Sequence, residues 1–320
     1  MLSGCYEGVR MNCQKTIKRA IQCSGIGLHK GRKVRLVLRP AVEDTGIVFA
    51  LHGADGVRFH RPSPAAVVET AMATTLGFGG QRLATVEHLL AAVRGLEIDN
   101  LHVEVEGDEV PIMDGSSASF IFLLRAAGFR KQNKPRRVLN LKQPIDFQVD
   151  GKWIKARPSN RLTVDYTINF NHPLVGTQKF FVDCNPESFT RHVAKARTFG
   201  FMREVEYLRR NGLALGGSLD NAVVLDEYGV INPEGLRYPD EFVRHKVLDF
   251  IGDLFVLGMP MNGDFEVYCS GHAVNNAFVR YIVEHKDEYL EVDVCGEQRD
   301  PEEDFLPGYS EVPAASQVWN

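Results

Sequence analysis

No two of the six cysteines (Cys5, Cys13, Cys23, Cys184, Cys269, Cys295) stand close together, and the chain has no C-x-x-C. This excludes a disulfide framework and a cysteine zinc site, and the thiols read as inert groups in a reducing compartment. No stretch approaches the roughly 18 apolar residues of a membrane-spanning helix. The opening residues contain Glu7 and Arg10 and have no apolar core of a secretory signal. A cytoplasmic chain is therefore expected. Positive charge is not in excess: 37 Lys and Arg against 41 Asp and Glu give a formal charge of −4. General nucleic-acid binding needs a basic surface and is disfavoured, while local basic groups remain available for an anionic small molecule. There is no short-period repeat and no regular β-α-β rhythm, so the class expected is α+β rather than a doubly wound sheet.

What is present suits a globular protein with a sizeable core: 320 residues, 44% hydrophobic and 24% charged. Residues 1–12 read as a disordered N-terminal extension with Met11 as an alternative start, 13–133 as a first domain, 134–299 as a second, and 300–320 as an acidic tail. The basic stretch 128–137 reads as the connector between domains, and the Gly- and Pro-rich residues 52–66 as an insert or long loop. Alternation predicts strands at 34–38, 46–49, 101–105, 138–141, 153–156, 162–168, 221–225 and 265–268. Helices are predicted over 85–95 with Thr85 as N-cap, over 118–127, 198–211 and 272–284, and from Asp240 onward.

That last helix holds the pattern of most interest. His245 and Asp249 are four residues apart, so their side chains leave one face a turn apart, with Asp253 extending the stripe. Val243, Val247, Phe250 and Leu254 fall opposite. An imidazole and a carboxylate at this spacing form half of a divalent-metal site. A solvated face of an ordinary amphipathic helix explains the same pattern. Glu87-His88, at the start of another helix, offers a second imidazole and a carboxylate that could reach a metal-bound water; a polar first turn on a surface helix is the plain alternative. His272 follows Gly271 at a strand-to-helix corner, a position that points into a cleft or merely into the structure; a pairing with Asp253 would hold it protonated.

Five motifs occur together and in order: TVEHLL (Thr85–Leu90), PIMDGSS (Pro111–Ser117), ARTFGFMREVEYL (Ala196–Leu208), FVRHKVLDFIGDL (Phe242–Leu254) and SGHAVNN (Ser270–Asn276). The set closely resembles the UDP-3-O-acyl-N-acetylglucosamine deacetylases, the zinc amidases of lipid A biosynthesis, from about Gln14 to at least Asn276. The resemblance implies one catalytic zinc ion on His88, His245 and Asp249, with Glu87 as general base. It implies His272 as the group that protonates the departing amine, Asp253 behind it, Thr198 as a donor to the oxyanion and Lys246 as an added positive charge. Lys152 and Phe170 would contact the nucleotide, and Phe199 and Phe201 would line the site. Met202, Val205, Ala214, Ala222 and Val224 match the lining of an apolar passage for the acyl chain, although helix–sheet core packing explains such residues equally. The implied fold is two β-α-α-β domains with helices packed between two sheets, each domain with a small insert. The implied partner is the acylated UDP-N-acetylglucosamine, met by a monomer with at most transient contact with a membrane surface.

Two features depart from the family pattern. Cys269 stands before the Ser-Gly-His motif where a basic residue is common, and the extension before Asn12 has no counterpart. A zinc peptidase using the same ligands and a nucleotide-sugar-binding module with a structural metal are the rival readings. Neither accounts for all five motifs.

Overall fold

The computed structural model describes residues 12–53 and 56–295. The expected extension before Asn12, the alternative start at Met11 and the tail from Asp300 lie outside the described residues. Two sheets enclose a layer of helices, the expected α+β architecture in two halves. The first sheet runs Ile21–Ile26, Lys33–Pro40, Leu101–Glu106, Ile47–Gly53, Gly56–His60, antiparallel except where Leu101–Glu106 lies parallel to Ile47–Gly53. Period-two alternation sends Leu101, Val103 and Val105 into the core, while Glu104 and Glu106 meet Arg39 and Arg35 on the outer face. The second sheet has seven strands around Met261–Tyr268, which is antiparallel to Lys152–Arg157 and parallel to Leu162–Asn169. Ile145–Val149 and Thr177–Asp183 continue it on the two sides, and Arg137–Leu141 with Leu290–Val294 joins at the start of the axial strand.

The described residues form helices α1 (Glu87–Gly95), α2 (Ala118–Ala127), α3 (Pro186–His192), α4 (Met202–Arg210), α5 (Glu241–Leu254), α6 (His272–Glu284) and the single turn α7 (Lys286–Tyr289). None is long and apolar enough to cross a membrane. α1 packs across α5, and α6 lies along it. The crossing is close because Gly252 has no side chain: a Cβ there would run into the Glu87 carbonyl at the start of α1. Both helices are buried on every side. Twelve of the fourteen α5 residues are buried, His245, Asp249 and Asp253 among them, which rules out a solvated face.

Several local expectations are corrected. Residues 52–66 are not one long loop: among the described residues, 52–53 end the strand Ile47–Gly53 and Gly56–His60 is an edge strand paired with it, before a short turn at Pro64–Ala66. The insert of the first half lies further on, as the three-stranded sheet Val67–Glu69, Thr75–Phe78, Gln81–Leu83. The basic stretch after Gly128 is strand Phe129–Pro135, paired with Cys13–Ile17; its charged side chains face water from a two-stranded ribbon. Residues 198–211 are not one helix, because Phe199–Phe201 pairs in parallel with Val223–Leu225 before α4 begins. Thr85 does not cap α1. It sits at φ 59°, and its hydroxyl donates instead to Glu109 Oε1 at 3.0 Å.

Candidate metal centre and cleft

The close crossing at Gly252 sets Glu87 and His88, the first residues of α1, against the C-terminal half of α5. The ligand atoms of His88, His245 and Asp249 then lie within 4.8 Å of one another. Nε2 of His245 is 3.2 Å, and Nε2 of His88 3.5 Å, from Oδ1 of Asp249. His245 donates from Nδ1 to the Ala196 carbonyl at 3.1 Å, which leaves Nε2 as the lone-pair nitrogen facing the carboxylate. Burial pushes the His245 imidazole down to about 3, so it is neutral at ordinary pH. Burial opposes the charge of Asp249, but His245, Lys246, His88 and His272 outweigh it and hold the carboxyl well below the usual range. Its Oδ1 is buried with no hydrogen-bond donor among the described residues. An anionic oxygen without a donor, faced by two imidazole nitrogens, is a place a divalent cation fits. Two imidazoles and one carboxylate also match the three-protein-ligand pattern of zinc sites that keep a coordination position open.

The surrounding groups are equally constrained. Glu87 is buried, which raises its pKa against the attraction of His272 and His88, and it accepts the Thr74 amide at 3.0 Å. His272 holds Asp253 through Nδ1 at 2.8 Å. Burial disfavours its charge, yet Asp253, Asp249 and Glu87 together raise it to about 9. Asp253 also accepts the Thr74 hydroxyl at 2.6 Å and the Asn275 amide at 2.8 Å, so all its partners aim it at the ring. Lys246 pairs with Asp249 Oδ2 at 2.7 Å. Thr198 is fixed from outside its own half: its amide donates to the Gly115 carbonyl at 2.8 Å. Gly115 has φ 79°, and a Cβ on it would collide with the Asn221 carbonyl.

A cavity of about 710 Å³ opens onto these groups. Its walls include Glu87, His88, Thr198, His245, Lys246, Asp249 and His272, the aromatics Phe170, Phe199 and Phe201, Lys152, and the apolar Met202, Val205, Ala214, Ala222 and Val224. Asp253 alone of the expected site residues lies behind the wall. α4 has no buried residue, because the face bearing Met202, Val205 and Leu208 looks into this space rather than into a core. Three contributors went unrecognised in the sequence. Thr74 and Met72 come from the first insert, which lies beyond residues 52–66, and His29 sits in the wall with both ring nitrogens buried and without a partner among the described residues. The glycines at 25, 27 and 31 marked its loop as a turn, but nothing in them marked the histidine between.

A family model described as UDP-3-O-acyl N-acetylglycosamine deacetylase matches residues 14–284. A protein of Oleidesulfovibrio alaskensis named UDP-3-O-acyl-N-acetylglucosamine deacetylase is 61% identical over 277 residues, 87% of this chain and 91% of the relative. Its namesake in Nitratidesulfovibrio vulgaris is 60% identical over 278 residues, covering 87% and 90%. One in Acidithiobacillus ferrooxidans is 48% identical over 290 residues, covering 90% and 95%.

Proposed function

The chain belongs to the UDP-3-O-acyl N-acetylglycosamine deacetylase family, and from that premise we propose that it hydrolyses the N-acetyl group of UDP-3-O-(3-hydroxyacyl)-N-acetylglucosamine. The products are acetate and the free 2-amino sugar, and the step commits material to lipid A. The observation that carries the reading is the Oδ1 of Asp249, without a donor among the described residues and buried beside the Nε2 atoms of two histidines in the wall of the cavity that Glu87 and His272 also line.

His88, His245 and Asp249 would hold one zinc ion, which when bound supplies Lewis acidity, lowering the pKa of a water and polarising the acetyl carbonyl. The protein's own residues do the rest. Glu87 takes a proton from the attacking water; its elevated pKa suits a base that must afterwards release that proton. Thr198 donates its hydroxyl to the developing oxyanion, and Lys246 adds positive charge nearby. His272, cationic until about pH 9, delivers a proton to the nitrogen so that an amine rather than an amide anion departs. Lys152 and Phe170 receive the nucleotide, beside Phe199 and Phe201. The apolar wall of Met202, Val205, Ala214, Ala222 and Val224 receives the acyl chain. We place this activity in a cytoplasmic monomer that meets a membrane surface transiently at most.

Release of acetate from the acylated nucleotide sugar tests the reading. Turnover should vanish on chelation and return with zinc, and full activity in rigorously metal-free protein would overturn it.

A further inference from the structure

Arg197 and Glu241 form an ion pair buried almost completely, with exposures of 1% and 0%. Glu241 Oε1 accepts the Arg197 amide at 3.0 Å and Nε at 2.9 Å; its Oε2 accepts a terminal guanidinium nitrogen at 3.2 Å and the Arg237 amide at 2.6 Å. The remaining guanidinium contacts go to Glu234 and to the Gly235 carbonyl at 2.7 Å. Burying two charges is costly, and an apolar pair of similar volume is often as stable. A stabilising role is therefore a poor explanation for the pair. Its location offers a better one. The residue before Arg197 supplies the carbonyl that accepts from His245 Nδ1, and the residue after it is Thr198, in the cavity wall. Nδ1 of His88 has no partner among the described residues, so this carbonyl is the contact that fixes a tautomer at the centre.

We propose that Arg197 is a positioning residue. Clamped on the first turn of α5, it holds residues 196–198 so that the Ala196 carbonyl keeps the proton of His245 on Nδ1 while the Thr198 hydroxyl faces the cavity. The consequence for turnover rests on the function proposed above, whereas the tautomer does not. Lysine keeps the charge but lacks the planar fork that grips Glu241 Oε1 and Oε2 together.

The test compares the full chain with Arg197→Lys and Glu241→Gln, as purified and after chelation. It reads the His245 ring nitrogens by 15N NMR, zinc affinity by chelator competition, and kcat and KM separately. Arg136→Lys serves as control, since Arg136 is likewise buried and paired with Asp99 at 2.7 Å but lies outside the cavity wall. After chelation, His245 in either clamp variant should lose its single Nδ1–H tautomer, which zinc on Nε2 would otherwise impose. Zinc affinity should fall about 10- to 100-fold, as for other groups that orient a ligand, and kcat should fall with KM little changed. The control should lose stability with none of these effects. If Arg197→Lys does not fold, Glu241→Gln decides alone. An unchanged tautomer in the folded variants after chelation, or the same change in the control, would overturn the proposal. A wild-type chain that releases no acetate would remove the proposed function and leave the tautomer result to judge the clamp.

Discussion

Nδ1 of His272 lies 2.8 Å from Oδ2 of Asp253, and the contact keeps an imidazole that burial would neutralise in its cationic form. A raised pKa means that the protonated acid persists until about pH 9 and is lost above it. Asp253→Asn removes the charge but keeps the shape. The alkaline limb of kcat/KM should then move to lower pH by about one unit or more, the usual effect of losing an adjacent opposite charge. An alkaline limb left in place would mean that another group is the acid.

Glu87 and His245 should fail differently. Glu87→Ala removes a base and should cost roughly 10²- to 10⁴-fold in kcat while the protein retains its zinc. His245→Ala should lose the metal with the activity. Metal analysis beside kinetics separates the two, and zinc lost from Glu87→Ala would make that carboxylate a ligand.

Thr198→Val keeps the volume and the backbone bond to Gly115 but has no hydroxyl. Loss of one oxyanion donor costs about 10²- to 10³-fold in kcat, and Thr198→Ser should recover most of it. Equal kcat for Thr198→Val and wild type would assign the oxyanion to other donors.

The apolar wall can be tested by filling it. Val205→Trp should discriminate against long acyl chains, because each methylene denied burial forfeits about 0.8 kcal/mol. Excluding two of them should lower kcat/KM for a long-chain substrate about tenfold while a short-chain substrate is spared. An equal fall for both would place the acyl chain elsewhere.

How much of this was legible depended on whether the controlling interaction was local. α2 and α6 were read to their end residues because periodicity and flanking glycines lie within the helix or beside it. The His245/Asp249 spacing was legible for the same reason. That this stripe is buried was not, since only the packing of α1 and the sheets around α5 decides it. Thr85 misled because a distant partner, Glu109, claims its hydroxyl. Phe129–Pro135 misled because a ribbon strand open to water can be as charged as a linker. Thr74 carries no motif at all, and it braces both Glu87 and Asp253 through tertiary contact alone.

Gly252 has a bearing on how the molecule comes into being. Glu87 and His88 leave the ribosome long before the α5 glycine against which α1 must rest, so no species formed before α5 has emerged can contain the assembled centre. The crossing closes only when both halves have docked, which makes the site a property of the completed fold rather than of either half. A substrate analogue seated there therefore recognises native chains alone and shifts the unfolding equilibrium by mass action. The rise in melting temperature that it causes would thus report how tightly it binds the assembled centre.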